Sequence, residues 1–236
     1  MSGVLDGVLG LLMLADSRLP AGGHAHSGGV EAAIETGMVG GLADLAVFLR
    51  GRLRTAGAVA AGLAAAACRA AAVGPAGPAG PVGPAGWAGL DAEADARTPS
   101  PAQRRASRQQ GRALLRAARP AWPSPALAAL AGTPGGPHHP IVLGTVTAAA
   151  GGDPEGAALV AAYLAVSGPA TAAVRLRGMD PLAVHALLAG LAGEIAAVAR
   201  RAAVPAGWPD LPSPTAPRLD LLAERHARSE VRLFAS

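Results

Sequence analysis

Alanine is the residue that most constrains what this chain can fold into. It occupies 60 of the 236 positions, and 32 Gly and 21 Pro bring the three residue types to nearly half of the sequence. Aromatic residues make up only 3%, so a core must be built from small and aliphatic side chains in close contact. Because Ala favours helices and disfavours strands, the composition predicts an all-α protein. We expect residues 1–236 to form a single domain of about eight to ten helices.

Missing residue types exclude several chemistries. The chain has no Lys, which excludes a Walker A phosphate loop and a Schiff-base lysine. Its one cysteine, Cys68, excludes an internal disulfide and a multi-cysteine zinc site, and its position in an Ala run predicts a buried thiol. Ser27 is not part of a Gly-X-Ser-X-Gly nucleophile elbow, because Ala25 stands at the first Gly position. We therefore do not expect hydrolase chemistry at Ser27.

No signal peptide opens the sequence, since its first ten residues carry Asp6 and no basic region. The nearest approach to a membrane span is residues 156–174, which are Ala-rich and interrupted at residues 167–169. These features predict a cytoplasmic protein that does not cross a membrane.

Helix start and stop signals divide the chain into segments. Ser100, Asp153 and Asp180 each precede a Pro, the pattern of a helix N-cap followed by Pro at the first helical position. The Gly-Pro repeats of residues 74–89 predict a solvated, disordered loop. The predicted helices cover residues 4–14, 27–36, 42–72 with a break near 55–57, 101–118, 141–150, 155–166 continuing through a kink at 168–169 to 176, 181–202 and 219–229.

The loop of residues 20–29 contains four Gly and two His. We expect Gly22 and Gly23 to set its turn and Ser27 to cap the helix that bears Glu31. An alternative is a metal site that begins with His24 and His26. A second histidine pair, His138 and His139, could complete that site if the fold brings the two loops together.

Positive charge is concentrated in one segment. The formal net charge is +4, yet residues 96–152 hold seven Arg and no acidic residue. The Arg stripe, which is Arg104, Arg108, Arg112 and Arg116, is spaced at intervals of four along one helix. Either acids from elsewhere in the fold or an acidic surface of a partner would neutralise it. No aromatic residues alternate with these arginines, which argues against binding nucleic acid.

The chain ends in Arg232, Leu233 and Phe234 followed by Ala-Ser, in a protein with only two Phe. Terminal residues usually fray unless they dock. We expect Leu233 and Phe234 to be buried against a partner or against the chain's own core, with Arg232 paired to an acid there.

Several blocks in a fixed order carry a family resemblance. The first comprises residues 14–17, the loop 20–31 and Gly37, and the last is the Arg-Leu-Phe-Ala-Ser ending of residues 232–236. Between them stand residues 90–91 with 105–107 and Gly111, then 138–144, then 174–176. Together these blocks resemble the urease accessory protein UreF family over nearly the whole chain. The chain departs from the family pattern at His24, His185, Ala227 and Glu230.

The resemblance implies an all-α scaffold without a cofactor or catalytic activity. It implies binding to a UreD/UreH-type partner and a homodimeric surface presented to a UreG-type GTPase, in an assembly that delivers nickel to apo-urease. The alternative is a His-based nickel-binding metallochaperone or metalloprotein that uses His24 and His26. The candidate partner-binding residues are Gly22, Gly23, His26, Ser27, Glu31, Arg104, Arg108, Arg112, Arg116, Arg232, Leu233 and Phe234.

Overall fold

The computed structural model describes residues 2–72, 84–204, 207–229 and 232–235. Within these ranges the chain is helical and has no β-strand, which confirms the all-α prediction. A π-helical segment occupies Leu53–Gly57, and 3₁₀ turns occupy Gly23–Ala25 and Trp208–Asp210. The helices are α1 (Ser2–Ala15), α2 (Val30–Glu35), α3 (Leu42–Arg52), α4 (Ala58–Ala72), α5 (Pro84–Ala96), α6 (Pro101–Ala121), α7 (Pro125–Leu130), α8 (His139–Ala149), α9 (Pro154–Arg177), α10 (Pro181–Gly190), α11 (Ala192–Ala202) and α12 (Pro217–Ala227).

Helices α4, α8 and α9 form the centre of the structure. Small residues let them approach closely: a Cβ added to Gly144 of α8 would lie 2.0 Å from the carbonyl oxygen of Ala64 in α4. Cys68 lies in the same contact region, buried as expected, and burial raises the pKa of its thiol to about 12. The abundance of Ala and Gly therefore serves close helix packing.

The predicted helix caps at the three Ser/Asp-Pro pairs are confirmed. The Ser100 hydroxyl accepts a hydrogen bond from the Gln103 N–H at 3.2 Å. The Asp153 carboxylate accepts one from the Gly156 N–H at 2.7 Å, and the Asp180 carboxylate accepts one from the Leu182 N–H at 2.9 Å. Each side chain satisfies an N–H group that the first helical turn leaves unpaired.

The expected Gly-Pro loop of residues 74–89 is shorter than predicted. Residues 73–83 lie outside the described ranges, but α5 begins at Pro84, so the loop prediction is wrong for residues 84–89. Pro is compatible with the first turn of a helix. Trp87 and Leu90 are both buried, and their packing anchors the helix despite its glycines.

Two other predicted boundaries differ from the structure. Helix α9 runs unbroken through Pro169, although a kink was expected there. The predicted helix from residue 181 to 202 is instead two helices that meet at an angle of 46° around the buried Leu191. Gly190 and Gly193 flank this bend, and glycine disfavours a continuous helix.

Two stretches, Leu42–Ala72 and Pro154–Arg177, are long and apolar enough to cross a membrane by length and composition alone, and the bent pair α10–α11 would count as a third. More than half of the apolar window in each of the two stretches, 56% and 61%, is buried inside the protein. The apolar character of α4 and α9 is therefore used in helix–helix packing. The buried apolar side chains of the described residues form one core cluster.

Candidate partner-binding site

The loop that precedes α2 is shaped by glycines in the left-handed region. Gly22, Gly28 and Gly29 have φ angles of 73°, 61° and 88°. Gly23 does not share this conformation, and a Cβ added to it would meet nothing within 4 Å, so the expectation that Gly23 sets the turn is wrong. The position before the 3₁₀ turn that requires positive φ is Gly22.

Ser27 of this loop and Glu31 of α2 are both buried. The Ser27 hydroxyl accepts hydrogen bonds from the N–H groups of Gly29 and Glu31 at 3.3 Å and 3.4 Å. The N-cap position of α2 belongs to Gly29, two residues after Ser27. Ser27 therefore stabilises the start of the helix, as expected, but from outside the cap position.

The C-terminal tail, residues 232–235, docks onto this loop through its backbone. The Glu31 carboxylate accepts hydrogen bonds from the N–H groups of Leu233 and Phe234 at 2.7 Å and 3.1 Å. The Ala235 N–H donates to the carbonyl oxygen of Ala25 at 2.7 Å. The two ends of the predicted site, distant in sequence, thus form one continuous surface.

A buried histidine on α12 completes the contact between loop and tail. His226 Nε2 lies 3.2 Å from the Phe234 carbonyl oxygen and 3.4 Å from Glu31 Oε2. Both neighbours are acceptors, so Nε2 carries the proton and donates. Sequence reasoning missed His226, because a histidine on a helix gives no sign of a contact with a chain terminus.

The side chains of the tail have different environments. Phe234 is buried in the protein's own core, which was one of the two expected outcomes, whereas Leu233 is 80% exposed. Arg232 is exposed and forms no ion pair with any acid that the structure describes, so the expected pairing of Arg232 within this chain is not found. The docked tail presents an apolar and a cationic side chain to solvent.

Among the described residues, the four histidines considered as metal ligands do not form a group of three or more ligand atoms within 4.8 Å of one another. His24 is exposed, while His26 is buried. Burial, followed by the charge of His26, lowers the pKa of His139 to about 4. His138 belongs to a different group: among the described residues, only Asp91, Asp95 and His138 place three potential ligand atoms within 4.8 Å of one another.

The guanidinium of Arg108 already pairs with both carboxylates of that group. Arg108 Nη2 lies 2.8 Å from a carboxylate oxygen of each aspartate. His138 bridges Asp95 and the Ser107 hydroxyl, at 2.9 Å and 3.0 Å. Although burial opposes it, hydrogen bonds from His138 and the charge of Arg108 lower the pKa of Asp95. The arrangement ties α5, α6 and the start of α8 together and does not fit a metal ion.

The Arg stripe divides into two halves. Arg104 and Arg108 are engaged within the chain: Arg104 donates to the Thr98 carbonyl at 2.8 Å, and Arg108 contacts the aspartates of α5. Arg104 Nε also lies 3.9 Å from Asp95 Oδ1, so for both residues the acids come from elsewhere in the fold. Arg112 is exposed and donates to the Gly135 carbonyl, and Arg116 is exposed. Only the Arg112–Arg116 half is available to a partner.

Comparison with known proteins agrees with the family resemblance. A model of the UreF family matches residues 39–192. Urease accessory protein UreF of Mycobacterium sp. strain JLS is 47% identical over 227 residues, covering 96% of this chain and 97% of that protein. The proteins of the same name from Mycobacterium marinum and Mycobacterium tuberculosis strain H37Rv are 46% and 43% identical over 226 residues, with the same coverage. The chain therefore belongs to the UreF family of urease accessory proteins.

Proposed function

We propose that this chain is a non-enzymatic scaffold of urease maturation, which couples a UreG-type GTPase and a UreD/UreH-type partner to the insertion of nickel into apo-urease. We propose further that it works in the cytoplasm and forms a homodimer within that complex. Its membership of the UreF family supports the role in urease maturation. The specific partners and the coupling to nickel belong to the proposal.

The observation that carries the proposal is the docked tail. Four backbone and side-chain hydrogen bonds hold residues 233–235 against the loop and α12, yet Leu233 stays 80% exposed. Ordering a chain end costs conformational entropy, so an apolar side chain held outward is well placed for recognition. Arg232 beside it can pair with a carboxylate of the partner.

The exposed leucine provides a sharp test. Leu233→Asp in the full chain should reduce co-purification with the UreD/UreH-type partner by about tenfold or more, because a charge replaces an apolar contact at the interface. Leu182→Asp is the matched control, since Leu182 is 79% exposed on α10. Both variants should keep the wild-type melting temperature.

Equal recovery of the partner with both variants would remove Leu233 from the interface. Failure of the wild-type chain to co-purify with the partner would contradict the scaffold role itself.

A further inference from the structure

A cleft of about 530 Å³ lies beside the tail, between the Gly28–Gly29 turn and helices α6, α8, α9 and α12. Small apolar residues, including Ala56, Ala60 and Ala161, form much of its wall. Its volume is within the range of pockets that hold small molecules or protein side chains. Arg232 at its rim is shared with the role proposed above, whereas Arg52 and Arg105, which also line the cleft, have no part in that role.

Arg52 lines the cleft, and a proline on the opposite helix fixes its position. Pro169 has no N–H, so the carbonyl of Ala165, four residues earlier in α9, lacks its helical donor. Arg52 Nε donates to that carbonyl at 2.8 Å. Gly28 makes room for the guanidinium, because a Cβ there would lie 3.2 Å from Arg52 Cζ and Nη2.

The rest of the guanidinium is unused within the described part of the chain. Among the described residues, the Arg52 Nη atoms have no hydrogen-bond acceptor and no carboxylate forms an ion pair with them. Burial lowers the pKa of Arg52 to about 10, so the group is still a cation at neutral pH. A partly desolvated guanidinium with four N–H donors unused favours a planar oxyanion partner.

The rim of the cleft is also positive. Arg105 and Arg232 line it, and neither forms an ion pair in the described part of the chain. Among the lining residues that the structure describes, the one carboxylate is that of Asp220, and burial raises its pKa. Glu224, near Arg105, is held by the Ser100 hydroxyl and the Ala102 N–H.

We propose that this cleft binds an oxyanion, a carboxylate or phosphate group, in a bidentate contact with the Nη atoms of Arg52, with Arg105 and Arg232 completing the charge at the rim. The oxyanion is supplied either by a small free anion or by an acidic side chain of a partner. Both can present a pair of acceptor oxygens that matches two N–H donors of the guanidinium.

The test uses the full chain and inorganic phosphate as the probe, at constant ionic strength. Phosphate should raise the melting temperature saturably, since a ligand that binds only the folded state stabilises it. Arg52→Gln should abolish the rise, and Arg105→Gln should weaken the apparent affinity several-fold. Arg119→Gln, which removes an exposed arginine of α6 outside the cleft, should leave the rise intact.

Arg52→Gln also removes the hydrogen bond to Ala165, so each variant is compared with its own melting temperature in phosphate-free buffer. Arg105 makes no such contact, and its variant tests the site without that cost. The proposal would be overturned if phosphate raised the melting temperature of Arg52→Gln as much as that of the wild type. It would also be overturned if phosphate caused no saturable rise in the wild type.

A second measurement identifies the source of the oxyanion. If phosphate lowers co-purification of the wild-type chain with the UreD/UreH-type partner but does not affect the Arg52→Gln variant, the oxyanion is an acidic side chain of that partner. If phosphate leaves assembly unchanged but binds saturably to the chain alone, the oxyanion is a free anion. The binding measurement needs no partner, so its outcome is independent of the proposed scaffold role.

Discussion

At the scale of single residues, the site is built around imidazoles that burial keeps neutral. Burial, followed by the charge of His24, lowers the pKa of His26, and burial lowers the pKa of His139 to about 4. An unburied histidine titrates near 6.5. The folded protein therefore binds fewer protons than the unfolded chain between pH 6.5 and pH 4.

The pH dependence of stability follows from this difference. The contribution of neutral His139 is fully present above pH 6.5 and is lost as the pH falls towards 4, because the unfolded chain gains a proton that the folded state excludes. Between pH 7 and pH 5 the loss should be about 2 kcal/mol. Urea denaturation at the two pH values measures it.

His139→Gln should reduce that loss, while His185→Gln, at an exposed position on α10, should leave it unchanged. Equal losses in the wild type and both variants would show that His139 is not the titrating group.

Local chemistry made part of this site predictable from sequence. Ser27 and Glu31 could be singled out because a hydroxyl near a helix start and an acid in the first turn have defined partners nearby. The partners of the Glu31 carboxylate are N–H groups more than 200 residues further along the chain. No local pattern indicates such a contact, and Gly23 shows that a glycine's presence does not reveal its φ angle.

At the scale of elements, the contact between α4 and α8 depends on the absence of a side chain. A Cβ on Gly144 would lie 2.0 Å from the Ala64 carbonyl oxygen and 2.9 Å from the Cys68 nitrogen. These are backbone atoms of a central helix, so neither can move without displacing α4. The two helices would have to separate to accept even a methyl group.

Gly144→Ala should therefore lower the free energy of unfolding by about 3 kcal/mol or more. Gly51→Ala is the matched control: Gly51 is exposed in α3 and its added Cβ would meet nothing within 4 Å. That substitution should be neutral or stabilise by about 0.5–1 kcal/mol, as Ala favours the helix. Denaturant unfolding of both variants checks the prediction, and a Gly144→Ala protein as stable as the wild type would contradict the close contact.

The starts of helices were more predictable than their paths. Caps are local, and the three predicted caps, Ser100, Asp153 and Asp180, all mark helix starts in the structure. Whether a helix passes through a proline depends on what replaces the lost hydrogen bond. At Pro169 the replacement is Arg52, more than 100 residues away in sequence, so continuity of α9 is a tertiary property.

At the scale of the whole molecule, positive charge that looked like one block in sequence is partly compensated in space. The aspartates of α5 face Arg108, because α5 and the start of α8 pack beside α6. The sequence showed no acid within the segment but could not show which neighbouring helix would supply one. Arg112 and Arg116 are left exposed at the other end of α6.

Arg112→Glu with Arg116→Glu should weaken assembly with the accessory partners at low salt, by about tenfold, and the difference from wild type should shrink as salt screens the contact. Arg200→Glu with Arg201→Glu, an exposed pair on α11, is the control. Assembly is measured by co-purification across a salt series. Normal assembly of the Arg112/Arg116 variant at low ionic strength would show that this half of the stripe is a solvated surface.

The docking of the tail onto the loop that precedes α2 also determines when this surface can form during protein synthesis. Glu31 and Leu233 are 202 positions apart, so a ribosome adding about 5–20 residues per second makes the second roughly 10–40 s after the first. During that interval the Glu31 carboxylate lacks the N–H groups that it binds in the finished fold. The surface that combines loop and tail therefore cannot form until residues 232–235 have been synthesised, long after the loop itself.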